Sequence, residues 1–234
     1  MEKISVLHDG ASIKIYQTQE ADKVIVSFTD EITAFKKLKK AQIKDKGQYC
    51  NGISCVMSRQ LQKAGLPTHF LEQLNAREQL CLKVEPIDIE VIVRNVIAGS
   101  MARRLGLEEG LVPPETIIDL CYKSELLSDP IINSGHALAL GLASREEMDT
   151  IYTLTRSIND ILFPFVKERG LTLVDYKIEF GRLPDGSLTM CDDITPDTAR
   201  FWDSATGERL DKDRFRRDQG RVGEAYKTVF ERLK

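Results

Sequence analysis

An alternating segment in the C-terminal third of the chain restricts the fold more than any other stretch. From Leu173 to Phe180, apolar and charged side chains alternate. Successive side chains of a β-strand point to opposite faces, so this pattern predicts a strand with one core face and one charged face. A second alternating segment, Leu188 to Ile194, follows the turn sequence Pro184 to Gly186. Together the two segments predict a β-hairpin.

The charged face of this hairpin predicts a cation site. A tight turn brings Asp192 and Asp193 opposite Glu179, within one residue of register. Converging carboxylates repel one another unless a cation lies among them. Mg²⁺ bound to ATP phosphates meets that need, because it prefers oxygen ligands. An exposed sheet edge with solvated charges is the alternative.

The other hydrophobic patterns predict an α+β protein with two lobes. The predicted strands are Ile13 to Tyr16, Val24 to Phe28, Gln79 to Val84 and Ile89 to Asn95, and the predicted helices are Asn51 to Ala64, Ser144 to Arg169 with a kink or break at Pro164, and Val222 to Leu233. We place a hinge at Glu85 to Asp88. It separates an N-terminal β-rich lobe, residues 1–85, from a C-terminal α+β lobe, residues 86–234.

A strand–turn–helix junction predicts an anion site. Arg94 lies in the strand, and Ser100, after two small residues, is predicted to cap a helix from Met101 to Leu107. The N–H groups at a helix N-terminus carry partial positive charge, so a guanidinium beside them favours phosphate binding. An ordinary corner with a surface arginine is the alternative.

Further cations follow the predicted hairpin. Arg200 comes soon after Asp192 and can bind a phosphate or carboxylate through two parallel hydrogen bonds. Residues 211–217 then contain four cations. A solvated charged face is the alternative for this run.

Composition excludes several classes of partner. The 33 Lys and Arg nearly balance the 36 Asp and Glu, for a net charge of −3, which argues against nucleic-acid binding. No apolar stretch is long enough to span a membrane. Five scattered cysteines without a Cys-x-x-Cys pair indicate free thiols in a reducing, cytoplasmic setting. Three scattered histidines argue against zinc, so any metal should be a hard cation.

Five segments in series closely resemble the phosphoribosylaminoimidazole-succinocarboxamide synthase, or SAICAR synthetase, family. They are Glu90 to Ser100, Ser128 to Asn133, Leu173 to Gly181, Asp192 to Asp203 and Leu210 to Arg216. The resemblance extends over nearly the whole chain. It implies a kinase-like N-terminal lobe, ATP in the cleft between the lobes, and a homodimer.

The resemblance also implies a reaction. Members of the family join the carboxylate of carboxyaminoimidazole ribonucleotide to the amine of L-aspartate, with release of ADP and phosphate. A carboxylate is a poor electrophile, so its phosphorylation to an acyl phosphate gives the amine a group to attack. Positioning and charge neutralisation then carry most of the catalysis. A small-molecule kinase is the alternative, since phosphoryl transfer suits the same architecture.

Residue roles follow from the resemblance as expectations. Glu179 and Asp192 match the carboxylates that bind the metal and the nucleotide phosphates. The expected substrate contacts are Arg94, Ser100, Arg200, Lys212 and Arg214, with Asp175 and Lys177 beside polar groups of the ribonucleotide. The expected ATP contacts are Lys14 and the backbone of residues 82–88, which include Leu82 and Val84.

One departure from the family pattern concerns the ATP phosphates. The family usually has two lysines in its N-terminal turn where this chain has Ala11 and Ile13, and only Lys14 remains. The family also commonly has Asn-Gly where this chain has Lys36 and Lys37. We hypothesise that one of these two lysines replaces the missing charge. A nucleotide-binding protein with impaired catalysis is the alternative.

Overall fold

The chain alternates short strands with a few long helices. In the computed structural model, which describes residues 1–234, the strands are β1 Ser5–Asp9, β2 Ile13–Gln17, β3 Lys23–Phe28, β4 Glu31–Ala34, β5 Lys39–Gln42, β6 Phe70–Gln73, β7 Glu78–Leu82, β8 Glu85–Arg94, β9 Ile117–Tyr122, β10 Ile131–Ile132, β11 Leu171–Arg182, β12 Leu188–Met190 and β13 Ala199–Asp203. The helices are α1 Lys46–Lys63, α2 Gly99–Leu105, α3 Ser134–Ala139, α4 Arg145–Lys167, α5 Asp213–Arg216 and α6 Val222–Leu233, with a 3₁₀ turn at Glu125–Leu127.

The strands form two larger antiparallel sheets and one small hairpin. The first sheet has the order β1-β2-β3-β7-β6, and the second has the order β10-β9-β8-β11-β12, with β13 also paired to β11. The hairpin is β4-β5. The predicted pairing of the first strands is confirmed, with Ile13 opposite Phe28. The α+β class is therefore confirmed.

The link between the two sheets is shorter than the sequence predicts. Only Lys83 and Val84 separate β7 from β8, and residues 85–88, which we predicted as a hinge, lie within β8. Pro86 does not interrupt this strand; it lies opposite Gly181, where the β8–β11 register shifts. A proline is tolerated at such an irregularity because the N–H that it lacks is not required there.

The predicted hairpin forms with the expected register but a shorter second strand. The Cys191 N–H donates to the Glu179 carbonyl at 3.0 Å. Strand β12 ends at Met190, so Asp192 and Asp193 lie in irregular backbone beyond it rather than on a strand. Bonds between Thr195, Thr198 and Asp193 stabilise this segment instead of sheet pairing.

Helix α4 follows its sequence signals closely. Ser144 and Glu147 form the predicted capping box. The helix continues through Pro164 to Lys167, so the expected break does not occur. Pro164 has no N–H to donate to the carbonyl four residues earlier, so the helix loses one backbone bond but still continues for three more residues.

Two apolar cores meet at α1 and the C-terminal helix. Ile53, Met57 and Leu61 of α1 belong to the larger core, which also contains the apolar face of β11. The core beneath the first sheet contains Phe215 and Tyr226 from the C-terminal part of the chain. The two ends of the sequence therefore complete one core together.

A buried polar contact connects the two cores. The ammonium group of Lys46, at the start of α1, is fully buried against the carboxylate of Asp197. The Tyr226 hydroxyl of α6 donates to Asp197 Oδ1 at 2.9 Å. Because an unpaired buried charge is costly, these contacts hold α1 and α6 to the segment before β13.

None of the helices is both long enough and apolar enough to cross a membrane.

The contact of Asp197 with Lys46 and Tyr226 makes Tyr226→Phe a test of how α1 and α6 are held together. The substitution removes one hydrogen bond to a buried carboxylate, so we expect the free energy of unfolding in urea to fall by about 1–2 kcal/mol. Tyr49→Phe is the matched control, because its ring packs on Phe230 while its hydroxyl forms no hydrogen bond within the chain. Equal unfolding midpoints for the two variants would contradict a stabilising role of the Tyr226–Asp197 hydrogen bond.

Candidate active site

The charged face of β11 carries the centre of the site. Strand β8 flanks it on one side, with Glu90 directly opposite Glu179. Lys177 Nζ lies 2.8 Å from Glu179 Oε1, 3.0 Å from Glu90 Oε1 and 3.2 Å from Asp192 Oδ2. Lys123, just after β9, pairs with the second oxygen of Glu179. The structure thus brings Lys177, Glu179 and Asp192 together, as predicted. Asp193, which was expected to join them, instead accepts a hydrogen bond from the Thr195 hydroxyl at 2.8 Å.

The positive charge among these carboxylates comes from lysines. Repulsion among the carboxylates alone therefore does not require a metal, and the structure contains no group of three or more His, Cys, Asp or Glu side chains arranged to bind one. Oxygen donors for a hard cation are nevertheless present in Glu179 and Asp192. Asp192 Oδ2 is buried and accepts no well-aligned hydrogen bond, although Lys177 lies nearby. A buried carboxylate oxygen whose only ionic contact is one lysine keeps a lone pair that fits a hard divalent cation.

Burial and charge shift the pKa values of this cluster in opposite directions. Burial opposes the charge of Lys177, but Asp192, Glu179 and Glu90 raise its pKa well above its usual value. Burial also works against the ionised form of Glu179, and the two lysines lower its pKa. Burial and the charge of Asp192 raise the pKa of Asp193 to about 7. The cluster therefore keeps Lys177 charged, while burial and the neighbouring carboxylate favour the neutral form of Asp193.

A second ionic group lies at the other end of the same face. Arg94 is 2% exposed, and its Nε lies 2.8 Å from Asp119 Oδ2. Asp175 Oδ2 lies 3.2 Å from Arg94 Nη1 and 2.7 Å from Arg200 Nη1. Asp213 binds the Nε of Arg200 at 2.9 Å. The alternative of a surface arginine at position 94 is therefore wrong.

A cavity of about 860 Å³ lies beside this ionic group. Arg200 and Asp213 line it, whereas Arg94 and Asp175, both expected to contact the substrate, do not. Both Ser100 and Arg200 line it, as do Arg216 and Arg217 of the basic run. Gly99 has φ +58°, and a Cβ atom there would lie 2.3 Å from Arg200 Nη2. Only glycine permits this close approach of the guanidinium to the backbone.

Ser100 does not cap α2 as predicted. The residue before the helix is Ala98, which has no capping side chain, and Ser100 is the second residue of the helix. The first N–H of α2, that of Gly99, instead donates to the carboxylate of Glu109 at 2.9 Å. A side chain from a later loop thus satisfies the helix start, and local sequence patterns do not reveal such a contact.

The basic run divides into two groups. Arg216 and Arg217 face the cavity, whereas Arg214 binds Glu208 and the carbonyls of Arg209, Gln219 and Gly220. Lys212 is half-buried, and burial lowers the pKa of its ammonium group. The structure does not place Lys212 or Arg214 on this cavity, so their expected substrate contacts stay predictions. The alternative of a wholly solvated face is wrong for this run.

The residues expected to bind ATP lie along the first sheet and the link between sheets. Lys14 pairs with Asp9 at 2.7 Å. The Leu82 N–H already donates to the His69 carbonyl at 2.7 Å, and Val84 packs on Gly181. Lys37, one of the two lysines suggested as a replacement, pairs with Glu125. Their roles toward ATP stay predictions.

Sequence reasoning missed several members of the site. Glu90 and Lys123 contact the central cluster, while Asp119 and Asp213 hold the two arginines. Glu90 lies on the predicted strand four residues before Arg94, so pairing that strand antiparallel to Leu173–Phe180 would have placed it opposite Glu179. Lys123 and Asp213 carry no such signal, because loops and a short helix position them.

Comparison with known proteins identifies the family. The family model described as SAICAR synthetase matches residues 6–233. The phosphoribosylaminoimidazole-succinocarboxamide synthase of Clostridium beijerinckii is 53% identical over 233 residues, which cover 100% of this chain and 99% of that protein.

Solved structures agree with this match. The crystal structure of phosphoribosylaminoimidazole-succinocarboxamide synthase from Ehrlichia chaffeensis has 40% identity and a TM-score of 0.96, with 98% of each chain covered. A SAICAR synthetase solved in complex with ADP has 40% identity and a TM-score of 0.94, with 98% of this chain and 97% of that chain covered. This chain belongs to the SAICAR synthetase family.

Proposed function

We propose that this protein is an ATP-dependent carbon–nitrogen ligase of purine biosynthesis, which joins carboxyaminoimidazole ribonucleotide to L-aspartate. The observation that supports this function best is the single charged face of β11. One end of it carries Lys177 among carboxylates. At the other end Asp175 holds Arg94 and Arg200, and Arg200 lines the cavity. A phosphate at the arginine end and a reacting carboxylate at the lysine end match one ribonucleotide.

The proposed reaction has two steps. The ribonucleotide carboxylate attacks the γ-phosphorus of ATP, and the bond to the β–γ bridging oxygen breaks to release ADP. The aspartate amine then attacks the acyl carbon of the acyl phosphate, loses a proton and expels inorganic phosphate. Lys177 and Lys123 offset negative charge near the reacting groups, and Arg200 and Ser100 position the ribonucleotide phosphate.

Nucleotide use has support from the relative solved with ADP. Glu179 and Asp192 would hold Mg²⁺, which when bound neutralises phosphate charge. We also propose a cytoplasmic location, supported by five free cysteines, and a homodimer, supported by the family resemblance.

The isosteric substitution Glu179→Gln tests the charge at the centre of the site. It removes one negative charge between two lysines and one proposed Mg²⁺ ligand, so we expect kcat to fall about 100-fold or more. Circular dichroism and thermal unfolding check that the fold is retained. Glu168→Gln, at an exposed position after α4, is the control. Near-normal turnover of Glu179→Gln would exclude the metal assignment.

A substrate-omission assay separates the ligase from its alternatives. ADP release should require ATP, carboxyaminoimidazole ribonucleotide and aspartate together, and the carboxamide product should form in equal amount. ADP release with the ribonucleotide alone at the full rate would indicate a kinase. Binding of nucleotide by calorimetry, with no turnover under any combination, would indicate a protein with impaired catalysis.

The double variant Lys36→Ala/Lys37→Ala tests the replacement of the missing lysines. Loss of the two cations that we propose to offset the ATP phosphate charge should raise the KM for ATP about tenfold. Lys40→Ala/Lys44→Ala removes the same charge from exposed positions in the same region and is the control. An unchanged KM for ATP in the first variant would rule out the replacement.

A further inference from the structure

We propose that Phe35 is a specificity-determining residue, which packs against the uncharged part of the ribonucleotide between its phosphate and its carboxylate. This inference rests on the proposed function. It adds to the ribonucleotide site a residue of the N-terminal half of the chain.

Phe35 is an exposed aromatic side chain in a largely charged cavity. It is 59% exposed and lines the same cavity as Ser100, Arg200 and Arg216. Covering a large, solvent-exposed apolar side chain with a ligand is favourable, because apolar surface is removed from water. A ligand that is anionic at one end and has a flat ring next to it satisfies both the arginines and the phenyl ring, since aromatic side chains stack on bases.

The hairpin that carries Phe35 is held in place from both sides. On one side, Lys39 Nζ donates to the Phe215 carbonyl at 2.6 Å, and it lies 4.7 Å from the centre of that ring. On the other side, Lys37 pairs with Glu125 of the 3₁₀ turn. These contacts fix the hairpin tip between α5, next to the cavity, and the segment that follows Lys123.

The turn itself is strained. Phe35, Lys36 and Lys37 have φ values of 52°, 56° and 65°, although none of them is glycine. The left-handed region is unfavourable for a residue that carries a Cβ atom. Strain of this kind persists only where surrounding contacts enforce it, and it is concentrated at ligand-binding sites. Here it presents the Phe35 ring to the cavity instead of to the core beneath the first sheet.

Steady-state kinetics with each substrate varied in turn test the inference. For Phe35→Ala, we expect the KM for carboxyaminoimidazole ribonucleotide to rise about tenfold, while kcat and the KM for ATP change less than twofold. Phe35→Tyr should restore the wild-type KM because it keeps the ring. Leu38→Ala is the matched control: the side chain is 88% exposed on the same hairpin but lies outside the cavity.

A binding measurement gives a readout without turnover. Phe35→Trp places an indole at the same position, and its fluorescence should change when the ribonucleotide is added without ATP or aspartate. Leu38→Trp should show no such change. A wild-type KM for the ribonucleotide in Phe35→Ala, or an equal rise in the KM for ATP, would overturn the role of Phe35.

The same experiments separate failure of the inference from failure of the proposed function. Wild-type turnover that requires all three substrates supports the function whatever Phe35 does. If wild-type protein has no turnover and the Phe35→Trp signal does not respond to the ribonucleotide, both proposals fail. If the wild-type protein is active with all three substrates, but the Phe35 variants give the same results as the Leu38 controls, the inference fails and the proposed function stands.

Discussion

The pairing of buried charges along β11 is the constraint on which the rest of this structure depends. Asp175 and Glu179 lie on an inner strand of the second sheet, where an uncompensated charge would cost several kcal/mol. Their partners come from other elements: Arg94 from β8, Arg200 from β13 and Lys123 from the segment after β9. Satisfying two carboxylates therefore fixes the positions of the strands around β11.

The same pairing decides how the cavity can treat a ligand. Arg200 is held by Asp175 and Asp213, and Arg217 is held by Glu109. These guanidinium groups are oriented before a ligand arrives, so an incoming anion does not have to order flexible side chains. The associated cost is that the carboxylates reduce the net positive charge that the anion meets.

Local patterns in the sequence predicted much of the fold. Long-range contacts account for most of the features that these patterns did not predict. Period-two alternation placed Asp175, Lys177 and Glu179 on one face, and the capping box placed the start of α4, because both signals are local. The β4-β5 hairpin has no such signal, since its turn uses three left-handed residues without glycine or asparagine. The failure of Ser100 to act as a cap has the same origin, because Glu109 satisfies the helix start from a later loop.

The contribution of the C-terminal helix to the first core has a consequence for synthesis of the chain. Val24, Val26 and Phe28 are made early, but their core also needs Phe215, Val222 and Tyr226. Because a ribosome releases the N-terminal part first, the first sheet waits with an incomplete apolar face until nearly the whole chain has emerged. Its early strands therefore depend on protection from aggregation during translation.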